Sequence, residues 1–278
     1  MIEVTLSDLK KLYRPPAGSH KGQNGKLLII GGSHLFHAAS LWALEVASRI
    51  VDLVHYSSVP ENNRIVEKIK IQFRDGIVVP RRDIEPYIEE DDCILIGPGM
   101  TRDDETKELT NRLLKKYPQK QWVIDAGALQ MLDLALVPPR AILTPHKKEF
   151  ELLKDKLPLA QSRELLSQAA LADQVQFFAK EFACILLVKG QLDLAASPTD
   201  IREIRGGNAG MTKGGTGDVL AGLIAALACK NDPFLAAIAG SFINKQAGEA
   251  LYQKVGPFFN ASDLASQIPL TMKEIFFG

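Results

Sequence analysis

Residues 206 to 218 read Gly-Gly-Asn-Ala-Gly-Met-Thr-Lys-Gly-Gly-Thr-Gly-Asp, and Val219 to Cys229 follow as an unbroken apolar run. A strand-like stretch, Ile201–Ile204, precedes them. Strand, glycine loop and apolar helix in succession leave few options for the local fold. Glycines let backbone N–H groups come close to an anion, and a helix start adds unpaired donors and a positive partial charge. The segment therefore predicts a phosphate-binding loop that opens a buried helix. Asp218 stands at the end of the loop. A carboxylate beside bound phosphate is costly unless it has a chemical task, and taking the proton of an attacking hydroxyl is such a task. A plain reversing turn needs one or two glycines and has no use for the closing acid.

Two familiar phosphate loops do not fit. GxxxxGK[ST] needs Lys and a hydroxyl residue after its last glycine, whereas Gly217 is followed by Asp218. GxGxxG belongs near an N-terminal strand with an acid about 20 residues on. Lys and Arg total 33 and Asp and Glu total 33, so the formal net charge is zero. That balance argues against a broad nucleic-acid surface. Cys93, Cys184 and Cys229 lie beside or within apolar runs and lack CxxC spacing. They read as buried thiols of a reducing compartment. The polar opening MIEVTLSDLKK is unlike a signal peptide. Val219–Cys229 is too short to span a bilayer. The expected location is the cytoplasm, with no membrane and no nucleic-acid partner.

Short apolar runs alternate with helical patterns along the 278 residues. The runs are Lys26–Ile30, Val51–Val59, Cys93–Ile96, Trp122–Ile124, Ala141–Leu143 and Cys184–Val188. Helices are expected over Phe36–Ile50, Asp104–Lys116, Lys147–Lys154, Ser162–Glu181, Gly217–Cys229 and Phe234–Val255, with a short closing element at Asp263–Gln267. Glu61–Arg82 reads as a strand pair or a long connection at the sheet edge. The alternation predicts one α/β domain over residues 1–278, with helices on both faces of a mainly parallel sheet. Five runs end in small or polar residues: Gly31-Gly32-Ser33, Gly97-Pro98-Gly99, Asp125-Ala126-Gly127, Thr144-Pro145-His146 and Lys189-Gly190. Ligands of open α/β sheets bind beyond the carboxyl ends of the strands, so these turns and the Asp218 loop predict a crevice.

Gly-Gly-Thr-Gly-Asp ahead of an apolar helix resembles the signature end of ribokinase-like kinases. His20-Lys21-Gly22, Ile29–Ser33, Gly97-Pro98-Gly99, Val123–Ala128, Leu143–Phe150, Val188–Gly190 and Gly207–Gly222 come in the order seen in the ADP- or ATP-dependent NAD(P)H-hydrate dehydratases. The likeness covers about Ser19 to Asp263, without the epimerase domain of the bifunctional enzymes, and so points to the stand-alone form. It implies a ribokinase-like three-layer α/β/α fold and a carbon-oxygen lyase. Such an enzyme phosphorylates the hydroxyl of hydrated NADH or NADPH, using ADP or ATP with Mg2+. It then expels phosphate to restore the double bond.

The resemblance implies roles residue by residue. Asp218 is the base, with Gly215 and Gly217 in the anion hole; Gly214 and Thr216 complete that hole on the nucleotide side. Lys189, Gly190, Gln191, Leu192 and Asp193 match the nucleotide segment, and Asn208 is placed to touch nucleotide or phosphate. Ala39, Gly99 and His146 match positions that line the hydrate, beside Asp218. His146-Lys147-Lys148-Glu149 takes the place of an Asn-x-x-Glu element whose acid orders magnesium-bound water. The bland alternatives are a first-turn acid for Glu149 and a helix-terminal polar residue for His146. Phe36-His37-Ala38-Ala39 stands where the family usually has Tyr-x-Gly-Ala, and Asp193 where it usually has Thr. A homotetramer is implied. A small-molecule alcohol kinase of the same superfamily and a non-catalytic nucleotide binder remain the alternatives.

Overall fold

Lys26–Ile30 shows why the sheet is sealed on both sides. Leu27 and Ile29 join one hydrophobic core, Leu28 and Ile30 the other, and all four are fully buried. A strand alternates its side chains across the sheet, so an all-apolar strand demands cover on both faces. The computed structural model describes residues 1–157 and 169–278.

The strands are β1 (Ile2–Glu3), β2 (Lys26–Ile30), β3 (Leu53–Ser57), β4 (Ile77–Val78), β5 (Cys93–Ile96), β6 (Gln121–Ile124), β7 (Ile142–Leu143), β8 (Ile185–Val188), β9 (Asp193–Ala196) and β10 (Ile201–Ile204). They form a sheet in the order β1-β10-β9-β8-β7-β6-β5-β2-β3-β4. Only β9 runs antiparallel to its neighbours. The helices are α1 (Leu6–Leu9), α2 (Ala39–Ala47), α3 (Pro60–Ile69), α4 (Glu85–Glu90), α5 (Asp104–Lys116), α6 (Ala126–Met131), α7 (Lys147–Asp155), α8 (Leu171–Glu181), α9 (Thr216–Ala228), α10 (Pro233–Val255) and α11 (Ala261–Phe277). Leu44, Val66, Leu223, Ile243 and Ile268 bring α2, α3 and α9 to α11 into one core; Ile88, Leu113, Leu129, Phe150 and Phe178 bring α4 to α8 into the other. This is the expected three-layer α/β/α arrangement.

Two features position the site. Chain order reverses at β2, which has β3 on one side and β5 on the other. The crevice of a doubly wound sheet opens at such a switch point. There Gly32 N–H donates to the Pro98 carbonyl at 2.7 Å, clasping the two glycine turns together. The second feature is α9, apolar all round and buried from Val219 to Ala228. It crosses α2 closely: a Cβ on Gly222 would lie 2.6 Å from Cα and the carbonyl oxygen of Ala43.

Three expectations change, and a fourth is only partly described. The helix expected from Phe36 begins at Ala39, because the Ser33 hydroxyl accepts the N–H of Leu35 (3.4 Å) and Phe36 (3.1 Å) and holds a loop there. Glu61–Arg82 is neither a strand pair nor an open connection: it holds most of α3 and the two-residue β4. Pro60 opens α3 at a position that needs no N–H donor, and Asn62, Asn63 and Val66 form its buried side. The closing element is a 17-residue helix, started by a reciprocal Asn260–Asp263 cap and continuing past Pro269. Of the helix expected over Ser162–Glu181, Leu171–Glu181 is α8, and residues 162–168 lie outside the described residues. Among the described residues no helix is long and apolar enough to cross a membrane.

Candidate active site

The glycine loop shows which of its glycines packing demands. Gly215 caps α9 with φ +96°, and a Cβ there would meet the Trp42 ring at 2.4 Å and Ala261 at 2.7 Å. Glycine is required at that point by conformation and by space. Gly214 differs: nothing lies within 4 Å of where its Cβ would stand. The protein leaves that room unfilled. The amides of Gly214, Gly215 and Gly217 find no acceptor among the described residues, so three donors at the helix start are unpaired. Thr216 is otherwise engaged. Its N–H reaches Lys213 at 3.4 Å, and its hydroxyl donates to Met211 (2.7 Å) and Lys213 (2.9 Å). Of the expected anion hole, Thr216 is thus the brace of the loop.

Asp218 lies in the first turn of α9 and lines a crevice of about 410 Å³. The crevice joins the switch point to α9. Ala39, Gly99, His146 and Glu149 line it, and so do Phe36, Arg102, Ala126 and Gln130. Beneath it Asp125, 2 % exposed, accepts from Lys189 Nζ at 2.9 Å and from the Thr144 hydroxyl at 2.8 Å. Lys189 Nζ lies 3.6 Å from the Cβ position of Gly217, so a positive charge sits beside the start of α9.

Electrostatics follow from this crowding. Burial pushes the Asp218 carboxyl up to about 7, and repulsion from Asp125 and Glu149 adds to it against the pull of Lys189 and of its own backbone N–H. Burial alone would lower Lys189; attraction to Asp125, Glu149 and Asp218 outweighs it and holds the ammonium above its ordinary value. The site therefore pairs a firmly charged cation with a carboxylate that exchanges its proton near neutrality.

His146 and Glu149 fulfil the bland reading, as polar residues of a helix start. They form a reciprocal cap on α7: His146 Nδ1 accepts the Glu149 N–H at 3.1 Å, and Glu149 Oε2 accepts the His146 N–H at 2.9 Å. Gln130 Nε2 donates to Glu149 Oε1 at 2.8 Å. Because Nδ1 is an acceptor, neutral His146 carries its proton on Nε2 and presents a donor.

The nucleotide segment is knit inward. Asp193 is buried; it accepts from the Gly190 N–H (2.8 Å) and the Ser241 hydroxyl (2.7 Å) and pairs with Lys245 at 3.2 Å. The negative charge expected near a ligand is thus turned into the fold and neutralised. Lys245 Nζ also donates to the carbonyls of Gly190, Gln191 and Gly206. Asn208 is likewise spent locally, accepting from Gly210 at 3.0 Å and donating to Gly248 at 2.9 Å. Gln191 and Leu192 stay accessible on the turn before β9.

Sequence reasoning marked Asp125 only as part of a strand-end turn and gave it no role, and it missed Lys245 and Gln130. Asp125 alone had a signal, an acid at the end of an apolar strand just before a glycine. The positive φ of Ala126 (47°) marks the same corner as strained. Lys245 sits inside a long helix, and Gln130 carries no pattern.

The profile of the family described as NAD(P)H-hydrate dehydratase matches residues 27–270. The bifunctional NAD(P)H-hydrate repair enzyme Nnr of Methanocaldococcus jannaschii is 36% identical over 280 residues, covering 97% of this chain and 52% of that protein. The chain thus spans about half the length of the first curated relatives it matches. The ADP-dependent (S)-NAD(P)H-hydrate dehydratase of Nitrosopumilus maritimus is 32% identical over 272 residues, covering 92% of this chain and 91% of that one. In fold the chain matches the ADP/ATP-dependent NAD(P)H-hydrate dehydratase of Bacillus subtilis, co-crystallised with ATP and Mg2+, at a TM-score of 0.79 and 22% identity over 99% of this chain and 98% of that one. A ribokinase-like superfamily protein of Enterococcus faecalis gives a TM-score of 0.85 at 23% identity over 99% of this chain and 96% of that one. On this match of profile, relatives and fold, the chain belongs to the NAD(P)H-hydrate dehydratase family.

Proposed function

We propose that this chain, as a single domain, restores hydrated NADH or NADPH by phosphorylating the added hydroxyl and expelling phosphate, with ADP or ATP as donor. The observation that carries this reading is the Asp218 carboxylate, held near a pKa of about 7 in the crevice beside three free loop amides. A base poised near the working pH suits proton abstraction from a hydroxyl. Asp218 takes that proton as the oxygen attacks the terminal phosphorus. Gly214, Gly215 and Gly217 N–H groups receive the phosphoryl oxygens, and Lys189 offsets the charge that gathers there. The ester C–O bond then breaks, phosphate leaves with the electron pair, and the neighbouring ring carbon loses a proton to re-form the double bond. With ADP the balance is hydrate plus ADP to NAD(P)H, AMP and phosphate.

His146 Nε2–H and the wall of Ala39 and Gly99 orient the hydrated ring. Gly190, Gln191 and Leu192 line the nucleotide by backbone and surface, with Asp193 and Asn208 holding that wall from behind. Mg2+ suits the donor set: Glu149 and Asp218 face the crevice, and among the described residues no cluster of three ligands forms a cage. Mg2+ is commonly held by one or two carboxylates, water and substrate phosphates. It would supply charge neutralisation on the phosphates, with Glu149 reaching it through water. The donor preference of the Nitrosopumilus relative favours ADP, and a cytoplasmic homotetramer is the expected form. The test is recovery of 340 nm absorbance from hydrated NADH with Mg2+ and ADP or ATP in parallel. Recovery that needs nucleotide and vanishes in Asp218→Asn supports the reading. A folded, nucleotide-binding protein that restores no absorbance overturns it.

A further inference from the structure

At the opposite end of α9 from Asp218 lies a second cavity of about 250 Å³. Leu227 and Lys230 border it at the far end of the helix, and α9, with its 13 residues, is about 20 Å long. The lining is mostly apolar, with Met272 and Phe276 from α11 facing Leu12 of the N-terminal strap. Four cations stand around it, Arg14, Arg49, Lys230 and Lys273, and among the described residues no carboxylate lines it.

Part of that charge has a structural reason. The helices α2, α9 and α11 all deliver their carboxyl ends here. Each such end carries roughly half a negative elementary charge, so three offset about one and a half of the four positive charges. Arg49 is matched by Glu45, through a contact of 3.1 Å and a bond to the Glu45 carbonyl at 2.6 Å. Arg14 lies over the Phe276 ring at 5.5 Å and Lys230 over the Tyr13 ring at 6.0 Å, contacts that orient a cation without cancelling it. Lys273 has no ion pair and no hydrogen bond among the described residues. Lys230 and Lys273 are therefore left without a carboxylate partner among the described residues, at the rim of an apolar cavity. The strap that closes it is fastened: Tyr13 N–H donates to Asn231 at 2.7 Å and its hydroxyl to Asn24 at 2.8 Å.

We propose that this cavity binds a small amphipathic carboxylate, with the anion between Lys230 and Lys273 and the hydrocarbon body between Leu227 and Phe276. Its volume lies below the range of about 300–1,000 Å³ common for drug-sized ligands, so the occupant is a short acyl or aryl acid. A neutral or cationic amphiphile of equal length would leave the rim charge unmatched.

Isothermal titration of the full chain with octanoate, octan-1-ol and octylammonium tests this. Octanoate is expected to bind saturably at one site per chain, unchanged in Asp218→Asn, and octylammonium not at all. Lys230→Gln with Lys273→Gln should weaken octanoate at least tenfold, with native circular dichroism retained. Arg14→Gln supplies an independent removal of charge should the double variant misfold. Absent octanoate binding, equal binding of octylammonium, affinity indifferent to both sets of substitutions, or loss of the site in Asp218→Asn would each overturn the proposal.

Discussion

Asp218 makes the sharpest demands at the scale of single residues. As a base it works only when ionised, so kcat/KM should rise with pH through about 7 and level off above it. Asp218→Asn should lower kcat by about 100- to 10,000-fold while nucleotide binding persists, read by parallel turnover and titration. Stability should move the other way. The folded pKa lies above the ordinary value of 3.8, so the protonated group favours folding below that value and the benefit is lost as pH rises through about 7. Near pH 8, Asp218→Asn should therefore be more stable than the parent in urea, on the order of 2 kcal/mol after allowing for partial exposure. Lys189 behaves as half of a buried pair. Lys189→Met strands Asp125 and should cost about 3–5 kcal/mol. Adding Asp125→Asn should recover part of that loss, and a double-mutant cycle in urea measures the coupling.

At the scale of elements, the glycine loop separates packing from function. Gly215→Ala meets Trp42 at a positive φ and should be destabilised by about 2 kcal/mol or more. Gly214→Ala meets open space at ordinary φ and should melt within about 0.5 kcal/mol of the parent yet lose turnover. Equal loss of stability in both would remove the ligand role from Gly214. The α7 cap gives a second pair: His146→Ala should cost about 1 kcal/mol, and His146→Asn, which caps as well and keeps a donor, should not. The long elements were legible where period and punctuation agreed. Asp104–Lys116 stands as read, closed in by its Asp103 cap, and the glycine loop led directly to α9. What misled was local chemistry that cuts across period. Ser33 unwinds the residues ahead of Ala39, the β-branched Ile65, Val66 and Ile69 lend α3 a strand's composition, and Pro269 sits inside a helix that tertiary packing completes. At the site, strand-end motifs located the crevice, but no pattern announces that Asp193 turns inward to Lys245, or that Asp125 supports Lys189. Those pairings join residues 52 and 64 positions apart, and only the tertiary fold brings them together: a helix laid on the sheet for Asp193 and Lys245, neighbouring strand ends for Asp125 and Lys189.

At the scale of the whole molecule, two sealed cores imply cooperative protection. Cys93, Cys184 and Cys229 are all buried, and burial pushes Cys184 up to about 12 and Cys229 well above its ordinary range. Iodoacetamide at pH 8 should therefore label all three at one common rate, that of global opening, by mass spectrometry over time. Early labelling of one thiol would reveal a subunit of the fold that opens by itself. The close crossing of α2 and α9 bears on catalysis in a different way. With Gly222 against the Ala43 backbone, neither helix can slide or roll without forcing atoms into overlap. Ala39 begins one helix and Asp218 lies in the first turn of the other. The distance between Ala39 and Asp218, the proposed substrate wall and proton acceptor, is consequently a property of the folded chain before any ligand arrives. Adjustment on binding should therefore fall to the Ser33–Ala38 loop and the turn after Lys189, with the proposed reacting groups already spaced for attack.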